Sequence, residues 1–150
     1  MCGFAGFWTG GTPVRLTDAA ATVSAMANRI RHRGPDDQGA WCDADAGFAV
    51  AHRRLSILDL SAAGHQPMHS ASERWVLAYN GEIYNHLSLR QELETLRAAP
   101  AWIGHSDTET LLAAVEAWGV HRALRRSVGM FAFALWDRLE RKLWLACDCM

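Results

Sequence analysis

Met1-Cys2-Gly3-Phe4-Ala5-Gly6-Phe7-Trp8 opens the chain. A small, apolar run of this length, broken by Gly10-Gly11, reads as a buried strand followed by a turn. Its second residue adds a chemical reading. Met1 precedes a small residue, so aminopeptidase trimming would leave Cys2 at the start of the mature chain. A cysteine there carries a thiol and a free α-amine on one residue. An α-amine with a pKa of about 7.7–8.0 is a base near neutral pH, and a nucleophile activated by the chain's own amine is an established arrangement. The plain alternative is that Cys2 is an incidental small residue leading into a strand.

Outward from this run, the pattern alternates between helix and strand. Val23, Met26, Ala27 and Ile30 follow i, i+3, i+4, i+7 spacing, which predicts a helix with Thr17 as N-cap and Gly34-Pro35 as its stop. Trp41-Cys42 and Phe48–His52 read as two strands joined through 43–47. Leu55, Ile57, Leu58 and Leu60 form another short apolar run, and 61–70, with Gly64 and Pro67, reads as a loop. Trp75–Tyr79 is a strand signal ending in Asn80-Gly81, the strongest short hairpin signal. Leu89, Leu93 and Leu96 mark a second helix ahead of Pro100. Ser106-Asp107-Thr108-Glu109 matches a capping box and opens a third through Leu111, Leu112, Val115 and Trp118. Met130–Trp136 and Lys142–Ala146 flank a polar turn and predict a terminal hairpin. This mixture predicts layered α+β packing with antiparallel sheets.

Composition excludes several classes. The 150 residues are 50% apolar and 21% charged, with a formal net charge of −1, as in an ordinary globular domain. That balance argues against nucleic-acid or membrane-surface binding driven by bulk charge. The only lysine is Lys142, so no phosphate-binding loop of the G-x-x-x-x-G-K-[ST] kind is present. No apolar run approaches the roughly 18 residues of a membrane span, and no export signal is visible. The expected compartment is the reducing cytoplasm, with free thiols at Cys2, Cys42, Cys147 and Cys149. No zinc-ribbon spacing is present, and no metal site is expected.

The motifs converge when read together. Met1–Gly6 is followed by Arg31-His32-Arg33-Gly34-Pro35-Asp36, Ala51-His52-Arg53-Arg54-Leu55-Ser56-Ile57 and Gly64-His65-Gln66-Pro67-Met68. Asn80-Gly81-Glu82-Ile83-Tyr84-Asn85, Ser106–Glu109 and Gly129-Met130-Phe131-Ala132-Phe133-Ala134 follow in turn. In this order the chain resembles, from Cys2 to about Trp136, the glutaminase domain of glutamine-hydrolysing asparagine synthetases, which are class II glutamine amidotransferases. The resemblance implies a four-layer α/β/β/α sandwich of the N-terminal-nucleophile hydrolase type.

It also implies roles. Free glutamine carries an α-carboxylate, an α-ammonium and a neutral side-chain amide. Cys2 would be the nucleophile. Arg54 would clamp the carboxylate with its guanidinium fork, with the Leu55-Ser56-Ile57 backbone around the ligand. Asp107 and Glu82 would hold the ammonium. Asn80 and the Gly81 N–H would stabilise the tetrahedral oxyanion. Each residue has a plainer reading: Asn80-Gly81 as a turn, Asp107 as a carboxylate at a helix start, Arg54 as a surface cation. Arg31, His32 and Arg33 are read as supporting or interface residues, and His52 as packed.

The family usually reads Ala-Arg-Asp-Arg-x-Gly after the last hairpin, where this chain has Ala146-Cys147-Asp148-Cys149-Met150. The reading is therefore of residues 1–150 as a glutaminase domain incomplete at its C-terminus, its synthetase domain absent. The function implied is glutamine hydrolysis through an N-terminal cysteine thioester, supplying ammonia for ATP-dependent asparagine synthesis from aspartate. L-Glutamine is the expected partner in this chain, a homodimer is admitted, and ATP and Mg are expected only in the synthetase domain. The alternatives are an amidotransferase for another carboxylate, or an inactive fragment acting at most as a binding module.

Overall fold

The computed structural model describes residues 2–56 and 61–148. Two antiparallel sheets stack face to face, and helices cover both outer surfaces. The first sheet has the order β1-β3-β2, formed by β1 (Gly3–Trp8), β2 (Asp37–Asp43) and β3 (Phe48–Arg54). The second has the order β4-β5-β6-β7, formed by β4 (Met68–His69), β5 (Trp75–Ile83), β6 (Gly129–Asp137) and β7 (Lys142–Cys147). Helix α1 (Leu16–Arg29) lies on the first sheet. Helices α2 (His86–Thr95), α3 (Asp107–Trp118) and α4 (Val120–Arg126) lie on the second.

The strand sequences explain the layering. β3 is the middle strand of its sheet and is covered on both faces, so it is buried from end to end. Its Ala49 and Ala51 meet Ala19, Val23 and Ala27 of α1, where small side chains let the helix sit close. Its Phe48 and Val50 point the other way, to Val76, Ala78 and Trp136 of the second sheet. Phe48 stacks on Trp136 with ring centroids 4.5 Å apart, and Trp8 meets the same indole edge-on at 5.6 Å. Truncating so buried an aromatic residue as Trp136 would cost about 3–5 kcal/mol. The opposite face of β5 and β6 carries Leu77, Tyr79, Phe133 and Leu135 into the helical layer, against Leu89, Leu93, Leu111 and Val115.

The structure departs from the sequence reading in four places. Arg15, not Thr17, is the N-cap of α1, and the helix ends at Arg29 in a 3-10 turn, Arg31–Arg33, ahead of Gly34. The segment 61–70 holds a 3-10 turn, Ala62–Gly64, and the short strand β4. Helix α4 follows Gly119, whose φ of +76° breaks it from α3; seven residues are too few to show a periodic apolar face. The largest departure is at Asn80-Gly81, which is no hairpin. β5 runs straight through it and pairs with β6 along its whole length. A two-residue hairpin of this kind needs positive φ at both residues; Gly81 sits at +154°, and Asn80 is not among the positive-φ residues.

Candidate active site

Cys2 precedes β1, beside the C-terminal end of β3. Its sulfur takes the Leu55 N–H at 3.3 Å and lies 3.6 Å from the Leu55 carbonyl. Arg33 Nε donates to the Cys2 carbonyl at 3.0 Å, so the Arg31–Asp36 motif reaches the first residues directly. Asp36 of the same motif accepts the Ser56 N–H at 2.8 Å. The end of β3, the start of β1 and the turn after α1 are thereby tied together.

A cavity of about 400 Å³ opens at this point, between the ends of the two sheets. Cys2, Arg54, Leu55, Asn80, Gly81, Glu82 and Asp107 all line it. Seven of the nine residues expected from sequence thus share one cavity. Ser56 is not in its walls; its N–H is spent on Asp36. Ile57 lies outside the described residues.

Arg54 is buried, and its Nη1 donates to the Ser61 carbonyl at 2.9 Å. The surface-cation reading of Arg54 therefore does not hold. Asp107 is the first residue of α3, where the helix dipole favours a carboxylate. Ser106 caps that helix by accepting the Glu109 N–H at 3.2 Å. Glu109 does not complete the box: its carboxylate accepts the N–H groups of Ile103 and Gly104 instead. Asp107 Oδ2 accepts the Tyr79 hydroxyl at 2.9 Å and the Ile83 N–H at 2.8 Å, while Oδ1 accepts the Thr108 N–H at 2.9 Å. An ionised carboxylate has about four acceptor positions, so one remains beside the cavity. Burial, then the Asp107 charge, pushes the Tyr79 phenol far up, and it stays a donor.

The backbone of β5 follows a parity rule. Bonds from Arg138 N–H to the Arg74 carbonyl (3.0 Å) and from Tyr84 N–H to the Val128 carbonyl (2.8 Å) bracket the β5–β6 ladder. Hydrogen-bonded and non-hydrogen-bonded pairs alternate in an antiparallel ladder. The even-numbered residues of β5 therefore bond to β6, and the odd-numbered ones turn their N–H and C=O to the opposite edge. On that edge β4 reaches no further back than Met68, paired with Leu77. The Tyr79 N–H goes to Gln66 Oε1 at 2.7 Å, the Tyr79 carbonyl meets His52 Nε2 at 2.9 Å, and the Ile83 N–H goes to Asp107. Between them, no strand or side chain among the described residues takes the Gly81 N–H. It is left on the open edge, beside a cavity it helps to line.

Residues 1–150 match the family model described as the glutamine amidotransferase domain. The chain belongs to that family. Glutamine-hydrolyzing asparagine synthetase 1 of Bacillus subtilis is 37% identical to this amidotransferase domain over 148 residues, 99% of the chain and 22% of its own length. Asparagine synthetase B of Escherichia coli is 41% identical over 124 residues, 83% of the chain and 21% of its own. A Mycobacterium tuberculosis protein named for the same activity is 41% identical over 158 residues, 99% of the chain and 24% of its own. This amidotransferase domain therefore spans about a fifth to a quarter of the curated relatives it matches. In fold it is similar to the glutamine phosphoribosylpyrophosphate amidotransferase of Bacillus subtilis, with a TM-score of 0.77 at 20% identity, covering 99% of this chain and 37% of that one. The four-layer N-terminal-nucleophile hydrolase fold follows.

Four contributors to the site carried no assigned role in the sequence: Tyr79, Gln66, Asp36 and Gly64. Gln66 and Gly64 stood inside a quoted motif, and Asp36 closed another. The partners of Asp36, Gln66 and Tyr79 lie 13 to 28 positions away, out of reach of local spacing.

Proposed function

We propose that this domain hydrolyses glutamine to glutamate and ammonia. The Cys2 thiol attacks the side-chain carbonyl carbon, with its own α-amine accepting the thiol proton. The oxyanion forms beside the Gly81 N–H and the Asn80 amide. Collapse of the tetrahedral adduct breaks the C–N bond, the nitrogen takes the proton and leaves as ammonia, and a γ-glutamyl thioester remains. Water then attacks the thioester, releasing glutamate and restoring the thiol. Arg54 binds the α-carboxylate; Asp107, through its remaining acceptor position, and Glu82 bind the α-ammonium.

One observation carries this reading. A single cavity is lined at once by a thiol, a backbone N–H that no group among the described residues takes, a buried guanidinium and a buried carboxylate. Those are the four groups that glutamine chemistry requires. The similarity to glutamine-hydrolysing asparagine synthetases supports extending the proposal. In a longer protein the ammonia would pass to a synthetase domain, where aspartate activated with ATP and magnesium becomes asparagine. Glutamine hydrolysis by the purified protein, with Cys2→Ala alongside, tests the first step. Activity that survives Cys2→Ala would overturn it.

A further inference from the structure

β5 carries the proposed oxyanion donors, yet at Tyr79 it has lost its strand neighbour. β4 pairs only through Met68 and His69. In that register the next bonding position would be residue 66 opposite Tyr79, and there the ladder has already ended. An edge peptide left bare inside the molecule would cost the desolvation of its N–H and its C=O, about 1–3 kcal/mol each. Two buried side chains from different parts of the fold fill the gap. Gln66 Oε1 takes the Tyr79 N–H at 2.7 Å, and His52 Nε2 meets the Tyr79 carbonyl at 2.9 Å. A carbonyl can only accept, so Nε2 carries the hydrogen. His52 is 0% exposed, and its other nitrogen, Nδ1, has no partner among the described residues. Among the described residues its one hydrogen bond is thus the one to the Tyr79 carbonyl.

That bond also crosses between layers. His52 stands on β3 opposite Phe4 of β1, two residues after Cys2. Tyr79 immediately precedes Asn80 and Gly81. The bond therefore ties the sheet that holds the nucleophile to the strand that holds the oxyanion donors. Its acceptor is the carbonyl of the very peptide that leads into Asn80.

Resting on the glutaminase reading above, we propose that His52 is a positioning residue: its Nε2–H, with Gln66 Oε1 beside it on the same edge, stands in for the missing strand and sets the distance from Cys2 to the Asn80-Gly81 donors. Its hydrogen bond meets the peptide that leads into the oxyanion donors. Its effect therefore falls on the transition state and not on glutamine binding.

The test is steady-state glutamine hydrolysis by wild type, Cys2→Ala, His52→Phe and His52→Gln. Phenylalanine keeps a ring and removes the donor. Glutamine can return an N–H near the Nε2 position. His52→Phe should lower kcat by about 10- to 100-fold, up to the range lost with a single oxyanion donor, while KM stays within about two-fold. His52→Gln should recover most of that loss. An aldehyde analogue of glutamine, which forms an oxyanion on the thiol, should weaken with His52→Phe in step with kcat; glutamate affinity should hold. Unchanged kcat in His52→Phe, a parallel rise in KM, or no recovery in His52→Gln would each overturn the proposal. If His52→Phe does not fold, Gln66→Met carries the same test from the neighbouring peptide on the same edge, with kcat falling and KM holding; an unchanged kcat there overturns it as well. Hydrolysis absent from wild type, or retained in Cys2→Ala, would instead overturn the glutaminase reading, and this proposal with it.

Discussion

Gly64 is the surface on which the Arg54 guanidinium rests: a Cβ built on Gly64 would lie 2.0 Å from Arg54 Nη2. The obstructing atoms belong to the far end of a flexible side chain, so the chain around Gly64→Ala can stay in place while the guanidinium moves. A charge-assisted hydrogen bond contributes about 1.5–3 kcal/mol. KM for glutamine should therefore rise by roughly 10-fold or more, with the thermal midpoint shifted by only a few degrees. Kinetics and thermal unfolding on one preparation check this. An unchanged KM would remove Arg54 from the carboxylate clamp.

At Gly81 the obstruction is backbone. A Cβ would meet the Met130 carbonyl oxygen at 2.3 Å and the Phe131 Cα at 2.5 Å, and the φ of +154° disfavours any other residue. Gly81→Ala should lose both stability and hydrolysis. Strained backbone costs about 1–3 kcal/mol and overpacking a similar amount. A loss of roughly 2–6 kcal/mol in urea unfolding is expected. A variant as stable as wild type would mean that β5 and β6 can separate here without cost.

The two glycines also mark how far the sequence could be read. The strands and helices with strong apolar periodicity were legible, as were Cys2, Arg54 and Asp107, because short motifs carry them. Asn80-Gly81 was legible as a site and misread as a turn. The local preference of an Asn-Gly pair is real, but nine residue pairs with β6 outweigh it. The partnership of Gln66 and His52 on the two polar groups of Tyr79 was not legible. It depends on where β4 stops relative to β5, a property of the assembled sheet.

Cys2 and Cys42 should differ sharply in reactivity. Cys42 is half-buried, and burial pushes its thiol up from the usual range, leaving less thiolate at neutral pH. A glutamine-like electrophile should label Cys2 first, and Cys42→Ala should retain most of the activity. Intact-mass measurement should show Met1 removed, since an extended amine cannot serve as the base. Preferential labelling at Cys42 would count against Cys2 as nucleophile.

Acid should weaken the fold through His52. Desolvation lowers its pKa from 6.5 to about 4, with Arg54 and His65 adding to the fall and the Tyr79 carbonyl and Asp37 opposing it. Below pH 6.5 the unfolded chain gains a proton that the folded ring refuses until about pH 4. Stability from this residue is full above about 6.5, declines between 6.5 and 4, and is flat below. At 1.36 kcal/mol per unit the span is about 3 kcal/mol. Urea unfolding at pH 7 and pH 4 should show His52→Gln losing less stability than wild type by about that amount. Equal losses would mean that water reaches the ring.

The alternation along β5 has a genetic consequence. Substitutions at Val76 or Ala78 change packing but leave each peptide on its own edge. Loss or gain of one codon between Trp75 and Tyr79 does something else: it exchanges odd for even and turns the Gly81 N–H toward β6. Such an indel would silence the site while every side chain named in it was still encoded. Lineages that keep this chemistry should therefore vary in length freely in the loops, yet hold this segment to a constant count.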